Sequence, residues 1–256
     1  MSKKIVLITG ASSGIGQACA HVYAKQGWRL ILAARRLDKL EHLAKTLHQA
    51  HGTDIHILAL DVRDREAVRS SLTNLPPEWQ QVHTLINNAG LAAGKAAFQD
   101  SNIDDFESMI DTNIKGLTYV SHAILPIMIK NGEGDIINIG SIAGHEVYPM
   151  GHVYCSTKHA VHAITQGMRQ DTLGKGIRIC SVDPGAVHTE FSEVRLKGDK
   201  EKAKAVYAGM TPLSATDIAE TIFFCSSRPR HVCLADIIIL PTDQASTHHY
   251  HRKTAE

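Results

Sequence analysis

A chain of 256 residues is long enough for one large α/β domain or two small ones, and it can bury a sizeable core. Its 27 basic and 26 acidic side chains balance, so the composition gives no sign of a surface for nucleic acid. The longest apolar runs fall far short of the ~20 residues that a membrane-spanning helix needs, so we expect no membrane partner.

The amino terminus and the cysteines indicate where the protein works. The opening MSKKIVLITG has only a four-residue apolar run, whereas a signal peptide needs an apolar core of about 7–15 residues. The five cysteines are scattered and form no C-x-x-C pair, so neither disulfides nor a zinc site is predicted. We therefore expect a reduced, cytoplasmic protein without a metal.

Short β-rich runs alternate with helical stretches along the whole chain. In chain order the predicted strands are KIVLIT, RLILAA, DIHILAL, VHTLIN, GDIINIG, IRICSV and ADIIIL. The predicted helices cover residues 14–27, 38–51, 64–74, 103–130, 154–173 and 215–227. Pro126 is expected to kink or end the fourth helix. Near-continuous apolar strands between helices indicate a parallel sheet that is covered on both faces.

This alternation predicts the fold class and the domain organisation. Seven strands in one parallel sheet indicate an α/β fold, a single doubly wound Rossmann domain over residues 1–256 with helices on both faces. Residues 190–212 are charged and helical in pattern, and we expect them to fold over the site as a lid. Residues 242–256 form a C-terminal tail, and we interpret the histidines of HHYH at its centre as part of a mobile polar segment rather than a metal site.

Directly after the first strand, TGASSGIG places Gly10, Gly14 and Gly16 where a helix begins. Glycine permits a tight turn and close backbone approach, and a helix N-terminus offers free N–H groups to a pyrophosphate. A glycine-rich corner is weak evidence alone, because any sharp strand–helix turn favours glycine. Its position between the first strand and the first helix favours dinucleotide binding.

The end of the second strand distinguishes the two common dinucleotides. An NAD fingerprint places an acidic residue there, about 20 residues after the glycines, to hold the ribose hydroxyls. Here Ala34 takes that place, and Arg35 and Arg36 follow it. Guanidinium groups bind phosphate with two parallel hydrogen bonds, although both arginines could instead belong to a solvated helix start. The missing acid favours a 2′-phosphate, so we predict NADP.

Further motifs lie at the carboxyl ends of later strands, where open α/β sheets bind ligands. In VYCSTK, Tyr154 and Lys158 are four residues apart and share a helix face. Ser141 closes the fifth strand, and Asn113 lies in DTNIKG within the long helix. NNAG ends the fourth strand, and DPGAVHTEF follows the sixth. Each motif has a structural explanation by itself, but their order and spacing together predict one site.

The combination of TGxxxGxG, NNAG, Asn113, Ser141, YxxxK and PGxxxT resembles the short-chain dehydrogenase/reductase family, from residue 5 to about 240. The stretches LILAARRLDKL, GSIAGHEVYPMGHVYCSTK and TEFSEVRLKGD resemble its NADP-dependent 3-hydroxy acid dehydrogenases. This resemblance implies an enzyme that transfers hydride between NADP(H) and a small hydroxy acid of the serine or allo-threonine type.

The resemblance also assigns roles to single residues. Tyr154 is the acid–base group, Lys158 holds the nicotinamide ribose, Ser141 bonds the reacting oxygen, and Asn113 supports a proton path through water. The implied cofactor-binding residues are Gly10, Ser12, Ser13, Gly14, Ile15, Gly16, Arg35, Arg36, Asp61, Val62, Asn88, Tyr154, Lys158, Pro184, Val187 and Thr189. Asp61 could otherwise cap the helix that follows it.

The spacing of Tyr154 and Lys158 leads to an electrostatic expectation. A phenol with a pKa near ~10 is a poor base at neutral pH. An ammonium ~5 Å away, at an effective dielectric constant of ~20, is worth about 3 kcal/mol, or roughly 2 pKa units. We therefore expect Lys158, helped by the oxidised nicotinamide ring, to bring the pKa of Tyr154 close to working pH.

The predicted substrate-binding residues are Ser141, Tyr148, Tyr154 and Arg195. A guanidinium at 195 suits a sulfonate as well as a carboxylate, so a sulfoacetaldehyde reductase or another small carbonyl reductase remains an alternative. A non-catalytic NADP sensor is a third alternative, but its mark would be a broken Ser, Tyr or Lys, and none is broken here.

The predicted assembly also follows from the resemblance. The helices at 103–130 and 154–173 carry apolar residues on more than one face, for example Val161, Ile164 and Met168. By resemblance to the family, we expect these surfaces to pair between subunits in a homotetramer, with the C-terminal tail near a neighbouring subunit.

Overall fold

A seven-stranded parallel sheet forms the centre of the computed structural model, which describes residues 3–253. The strands are β1 (Ile5–Thr9), β2 (Arg29–Ala34), β3 (Ile55–Ala59), β4 (Val82–Asn87), β5 (Gly134–Ile139), β6 (Ile177–Pro184), β7 (Val187–His188), β8 (Leu213–Ser214) and β9 (Asp236–Ile239). The sheet has the order β3-β2-β1-β4-β5-β6-β9. Each predicted strand is present, and the predicted doubly wound fold is confirmed. The short parallel pair β7–β8 was not predicted.

Helices follow the strands along the chain. They are α1 (Gly14–Lys25), α2 (Leu37–His51), α3 (Arg65–Thr73), α4 (Ile103–Ile110), α5 (Leu117–Asn131), α6 (His152–Asp171), α7 (Phe191–Arg195), α8 (Lys200–Ala205) and α9 (Ala215–Ser226). Within residues 3–253, none of these helices combines the length and apolarity that crossing a bilayer demands.

The long helix predicted at 103–130 is the clearest difference from expectation. A π-helical turn at Asp111–Gly116 separates α4 from α5. The helix does not end at Pro126, because α5 continues to Asn131 before Gly132 takes a left-handed conformation. The wider π turn lies where Asn113 is buried, and such turns are frequent at functional sites.

Alternate strand residues face two apolar clusters, one on each side of the sheet. Val6 and Ile8 of β1 pack with residues of α1, α2 and α9. Ile5 and Leu7 of the same strand pack with residues of α3 and α5. Burial on both faces explains why the inner strands β1, β2, β4, β5 and β6 are largely apolar. The carboxyl ends of β1, β4, β5 and β6 border one cleft.

Residues 190–212 and the C-terminal segment lie over that cleft. Strands β7 and β8 flank residues 190–212 in the chain, and the pairing of Val187 with Leu213 brings the two ends of that segment together. The Arg252 guanidinium donates to the Val206 carbonyl at 3.0 Å, and the Lys253 N–H donates to the Gly209 carbonyl at 2.7 Å. The described part of the tail therefore packs against residues 206–209 and is not a detached polar segment. Residues 254–256 of the predicted tail lie outside the described residues.

Candidate active site

The predicted site residues converge on one large cleft at the carboxyl ends of the central strands. Those that line it are Gly10, Ser12, Ser13, Gly14, Ile15, Arg35, Arg36, Asp61, Val62, Asn88, Ser141, Tyr148, Tyr154, Lys158, Pro184, Val187, Thr189 and Arg195. Gly16 and Asn113 are not among its lining residues and lie behind its wall.

The glycine-rich turn has the conformation that its sequence requires. Gly10 and Gly14 have φ values of +64° and +54°, which a residue with a side chain adopts only with strain. A side chain on Gly16 would collide with the Gly10 carbonyl and the Asn88 amide. The Asn88 amide donates to the Thr9 carbonyl at 2.9 Å and to the Gly10 carbonyl at 3.2 Å. Asn88 thus fixes the turn, and Gly16 lets the helix start approach it.

Basic side chains line the cleft at the end of β2. Arg36 donates from Nη2 to the Ser13 hydroxyl at 2.7 Å, and from Nε and Nη2 to the Ser12 hydroxyl at 3.2 and 3.1 Å. Arg35 makes no hydrogen bond or ion pair with any residue from 3 to 253. This part of the cleft therefore presents a cationic surface with hydroxyl groups beside it, a combination suited to phosphate.

Asp61 is held by a residue that the sequence analysis missed. Arg63 donates to its carboxylate at 2.6 Å, and these hydrogen bonds hold the pKa of Asp61 below its usual range. The alternative of Asp61 as a helix cap is wrong, because Asp64 caps α3 by accepting from the Ala67 N–H at 2.9 Å. Arg63 also lines the cleft.

Tyr154 and Lys158 lie on the first turns of α6, and both are buried. The Lys158 ammonium donates to the Ile139 carbonyl at 2.7 Å and lies 6.0 Å from the centre of the Tyr154 ring. The Ser141 hydroxyl accepts from the Ala143 N–H at 3.1 Å and donates to the Pro184 carbonyl at 3.4 Å. The end of β5 and the start of α6 thus bring the predicted Ser, Tyr and Lys together.

The expected effect of Lys158 on Tyr154 is wrong for the protein by itself. Burial raises the pKa of Tyr154 above its usual value, although the Ser141 hydroxyl and the Arg195 guanidinium oppose this rise. Lys158 is not among the groups with the largest effects on the pKa of Tyr154. Burial also lowers the pKa of Lys158, to about 8, against the attraction of Asp183. Desolvation outweighs charge at this pair, so the phenol stays protonated at neutral pH.

Asn113 binds the loop that follows β4 to helix α6. Its side-chain oxygen accepts from the Leu91 N–H at 2.9 Å. Its amide donates to the Leu91 carbonyl at 2.8 Å and to the Thr157 hydroxyl at 3.0 Å. The π turn therefore places the Asn113 side chain against helix α6 at Thr157.

Arg195 and Tyr148 meet in the cleft beside Tyr154. The Arg195 guanidinium donates from Nη1 to the Tyr148 hydroxyl at 2.9 Å and lies 5.8 Å from the centre of the Tyr154 ring. The Nε atom of Arg195 is buried and has no hydrogen-bond partner among residues 3–253. Because the Tyr148 oxygen accepts from Arg195, its own O–H remains able to donate. Both side chains can therefore donate to one anion.

The roof of the cleft contains contacts that the sequence analysis missed. The Tyr207 hydroxyl donates to the Val187 carbonyl at 2.7 Å and bonds the Ser192 hydroxyl at 2.7 Å. Tyr250, from the His-rich tail, also lines the cleft. Burial raises the pKa of its hydroxyl, and the charge of Arg195 opposes this rise. Only one sequence signal marks these two tyrosines, which is that each is an aromatic residue within a polar segment. Spacing could not predict these contacts, because Val187, Ser192 and Arg195 each lie at least 15 residues from the tyrosine concerned.

His145 and Asp183 form a second unpredicted pair. The His145 Nε2 lies 2.7 Å from a carboxylate oxygen of Asp183, which is 1% exposed. The contact joins the loop after Ser141 to the end of β6. His162 lies beside this pair, and one ligand atom of each of the three residues falls within 4.8 Å of the others. Such a donor set could hold a divalent cation, so the absence of a metal stays a prediction.

The fold and the site define a dinucleotide-dependent oxidoreductase. The family model for short chain dehydrogenase matches residues 4–200. The chain is 46% identical over 253 residues to an NADP-dependent 3-hydroxy acid dehydrogenase of Schizosaccharomyces pombe, covering 98% of each chain. It is 46% identical over 242 residues to sulfoacetaldehyde reductase 2 of Chromohalobacter salexigens, and the match covers 94% of this chain and 95% of that protein. The chain belongs to the short-chain dehydrogenase family.

A solved structure supports the same conclusion. The closed form of serine dehydrogenase complexed with NADP+ has a TM-score of 0.92 with this chain at 39% identity, covering 97% of this chain and 100% of that one. The predicted family, fold and enzyme class are confirmed, and these relatives support the prediction of NADP as the cofactor.

Proposed function

We propose that the protein is an NADP-dependent dehydrogenase that moves hydride between NADP(H) and a small anionic hydroxy compound, a 3-hydroxy acid of the serine or allo-threonine type. The observation that carries this proposal is the pair Arg195–Tyr148, whose 2.9 Å contact lies beside the Tyr154 ring. A small hydroxy acid has few apolar atoms, so its charged end must supply most of its binding.

The residues present fit NADP. Gly10 and Gly14 make the turn at the start of α1, where free N–H groups suit a pyrophosphate. Arg35 and Arg36 suit the 2′-phosphate that distinguishes NADP. We propose that Lys158, on the other side of the cleft, holds the nicotinamide ribose, and that Val187 and Thr189 bind the nicotinamide carboxamide. Asp61 and Asn88 are proposed to lie at the adenine end.

The protein's own groups then supply orientation and the proton. When bound, the nicotinamide accepts or donates the hydride. Arg195 and Tyr148 hold the anionic end of the substrate, and Ser141 donates to the reacting oxygen. In reduction, the Tyr154 hydroxyl gives its proton to that oxygen, and its raised pKa keeps it protonated until then. In oxidation, Tyr154 takes the proton, and the positive charges around it must offset the cost of a buried phenolate.

A second candidate has its own support. One relative named above is a sulfoacetaldehyde reductase of equal identity. A sulfonate offers oxygen atoms to the same guanidinium and phenol, so Arg195 and Tyr148 fit this anion too.

The proposal also covers location and organisation. We infer one catalytic domain in which residues 190–212 close the cleft as a lid, in a cytoplasmic homotetramer. All five cysteines are free thiols, which fits a reducing compartment. Ile103 is the first residue of α4, and Phe98 lies just before this helix. They are 61% and 65% exposed, which fits an interface in which another subunit buries them.

The test is NADP+ reduction by a panel of alcohols. It compares 3-hydroxy acids, 2-hydroxysulfonates and neutral alcohols of equal chain length at a fixed enzyme concentration. We expect the specificity constant to be highest for one of the two anionic classes, and the higher class identifies the substrate. Equal rates for anionic and neutral alcohols would contradict the proposal.

A further inference from the structure

The first residue of the proposed lid reaches across the cleft to the basic side chains at the end of β2. One oxygen of the Glu190 carboxylate lies 3.2 Å from Nη1 of Arg36. The other oxygen lies 3.4 Å from the Lys39 ammonium. Glu190 directly follows Thr189, and both line the same cleft as Arg35 and Arg36. An acidic side chain therefore lies where the proposed 2′-phosphate site needs positive charge.

The donors of Arg36 are almost fully used. A guanidinium has five N–H donors, and phosphate recognition by arginine uses two of them in parallel. Nε and Nη2 donate to the hydroxyls of Ser12 and Ser13, and Nη1 donates to Glu190. Only one N–H of Arg36 remains. A phosphate that binds Arg36 through two parallel bonds must therefore displace either Glu190 or a serine hydroxyl.

Glu190 is the contact that an incoming phosphate would displace. The serine hydroxyls are neutral and can donate to a phosphate while they stay beside it. A carboxylate cannot donate, and its charge repels the phosphate. Its side chain is 49% exposed, so it can turn towards water at small cost.

We infer that Glu190 competes with the 2′-phosphate of NADP(H) for Arg36, and that it thereby limits the affinity for NADP(H) without affecting NAD(H). This inference rests on the proposed function, because it takes Arg36 as a 2′-phosphate ligand. Its consequence is that binding of the 2′-phosphate releases the start of the lid from the β2 side of the cleft. The same competition favours release of NADP(H) after the reaction.

The test is a calorimetric titration of the full-length protein with NADPH and with NADH, without substrate. Glu190→Gln keeps the size of the side chain and removes its charge. Two half-exposed ion pairs are each worth little, so we expect NADPH to bind about 3- to 10-fold more tightly, with NADH unchanged. Glu193→Gln is the matched control, since it makes the same charge change on α7 and has no side-chain hydrogen bond or ion pair with residues 3–253.

Two other results for Glu190→Gln would overturn the inference. Weaker binding of both nucleotides would show that the ion pair holds the lid closed over the cofactor. Equal strengthening for NADPH and NADH, or no change for either, would show that Glu190 does not compete with the 2′-phosphate. Arg36→Ala, titrated in parallel, separates this inference from the proposed function. Selective loss of NADPH affinity supports Arg36 as a phosphate ligand, whereas no loss contradicts that assignment.

Discussion

At the scale of single residues, burial decides how Tyr154 and Lys158 titrate. Both side chains lie within the protein, where the charged form of each is disfavoured. The phenol of Tyr154 is therefore a proton donor at neutral pH, and the ammonium of Lys158 is easier to deprotonate than a lysine in water. The sequence predicted the pair from its spacing, but it could not predict the depth of burial that sets the sign of the Tyr154 shift.

Tyr154→Phe removes the proton that the proposed mechanism transfers. Turnover should fall at least ~100-fold, the lower range for a lost acid–base group. NADPH affinity should remain, because the ring and its packing are kept. Initial rates and an NADPH titration of the same preparation check both points, and near-normal turnover would remove Tyr154 from its role.

The lowered pKa of Lys158 predicts a pH dependence of stability. Above about pH 8 the native state has lost a proton that the unfolded chain keeps, up to its ordinary pKa of about 10.4. Unfolding then takes up a proton, so the free energy of unfolding should rise with pH in this window, by at most about 1.4 kcal/mol per pH unit.

Urea unfolding of the wild type and of Lys158→Met between pH 8 and pH 10 measures this contribution. Methionine has no proton to lose, so the difference between the two proteins should change with pH by roughly 1 kcal/mol per unit. A difference that stays constant across the window would mean that Lys158 titrates normally in the folded protein.

At the scale of elements, apolar patterning predicted all seven strands of the central sheet. The five inner strands are almost wholly buried, whereas the edge strands β3 and β9 are partly exposed. It did not predict the interruption at Asp111–Gly116, since a π turn leaves the apolar pattern continuous. Strands β7 and β8 have only two residues each, too few for a pattern, and their pairing depends on how the residues between them fold. The contact of Glu190 with Arg36 depends on the same tertiary folding, because the two residues are far apart in the chain. Sequence spacing therefore could not predict it.

Within the proposed lid, the hydroxyl of Tyr207 bonds one residue before α7 and one residue of α7 itself. Tyr207→Phe removes its hydrogen bonds to the Val187 carbonyl and the Ser192 hydroxyl. We expect faster proteolytic cleavage within residues 190–212 and a specificity constant about 2- to 12-fold lower, the range for a lost hydrogen bond of about 0.5–1.5 kcal/mol.

Tyr119→Phe is the control for the lid. Tyr119 is half-buried on α5, and its hydroxyl has no hydrogen-bond partner between residues 3 and 253. This variant should behave as the wild type in both assays. The same cleavage rate in Tyr207→Phe and Tyr119→Phe would mean that the hydroxyl of Tyr207 does not hold the lid.

At the scale of the whole molecule, the exposed apolar side chains bear on the predicted homotetramer, because a second subunit would bury them. Of the residues on which the prediction of assembly relied, Val161 is buried within its own chain and cannot face a second subunit. Phe98 and Ile103 are mostly exposed and fit the prediction better. The apolar pattern could show that these helices have apolar residues on two faces. It could not show which of those residues pack against the sheet of their own chain.

A mass measurement by light scattering at micromolar concentration should give four times the chain mass of 27.9 kDa. Phe98→Ser and Ile103→Ser together should lower the oligomeric state if these residues lie in the interface, because they remove apolar area from it. A monomeric wild type at that concentration would contradict the homotetramer.

Arg195 is proposed to select a small anionic substrate, and one ratio of specificity constants measures this selection. This is the specificity constant for a 3-hydroxy acid divided by that for the neutral alcohol of the same length, compared between the wild type and Arg195→Ala. We expect the acid to lose about 1.5–3 kcal/mol, roughly 10- to 150-fold, and the neutral alcohol to lose little. Arg195→Lys should restore part of the ratio, because it keeps the charge without the planar fork. If acid and alcohol fall together, or if neither falls, Arg195 is not the anion-binding residue.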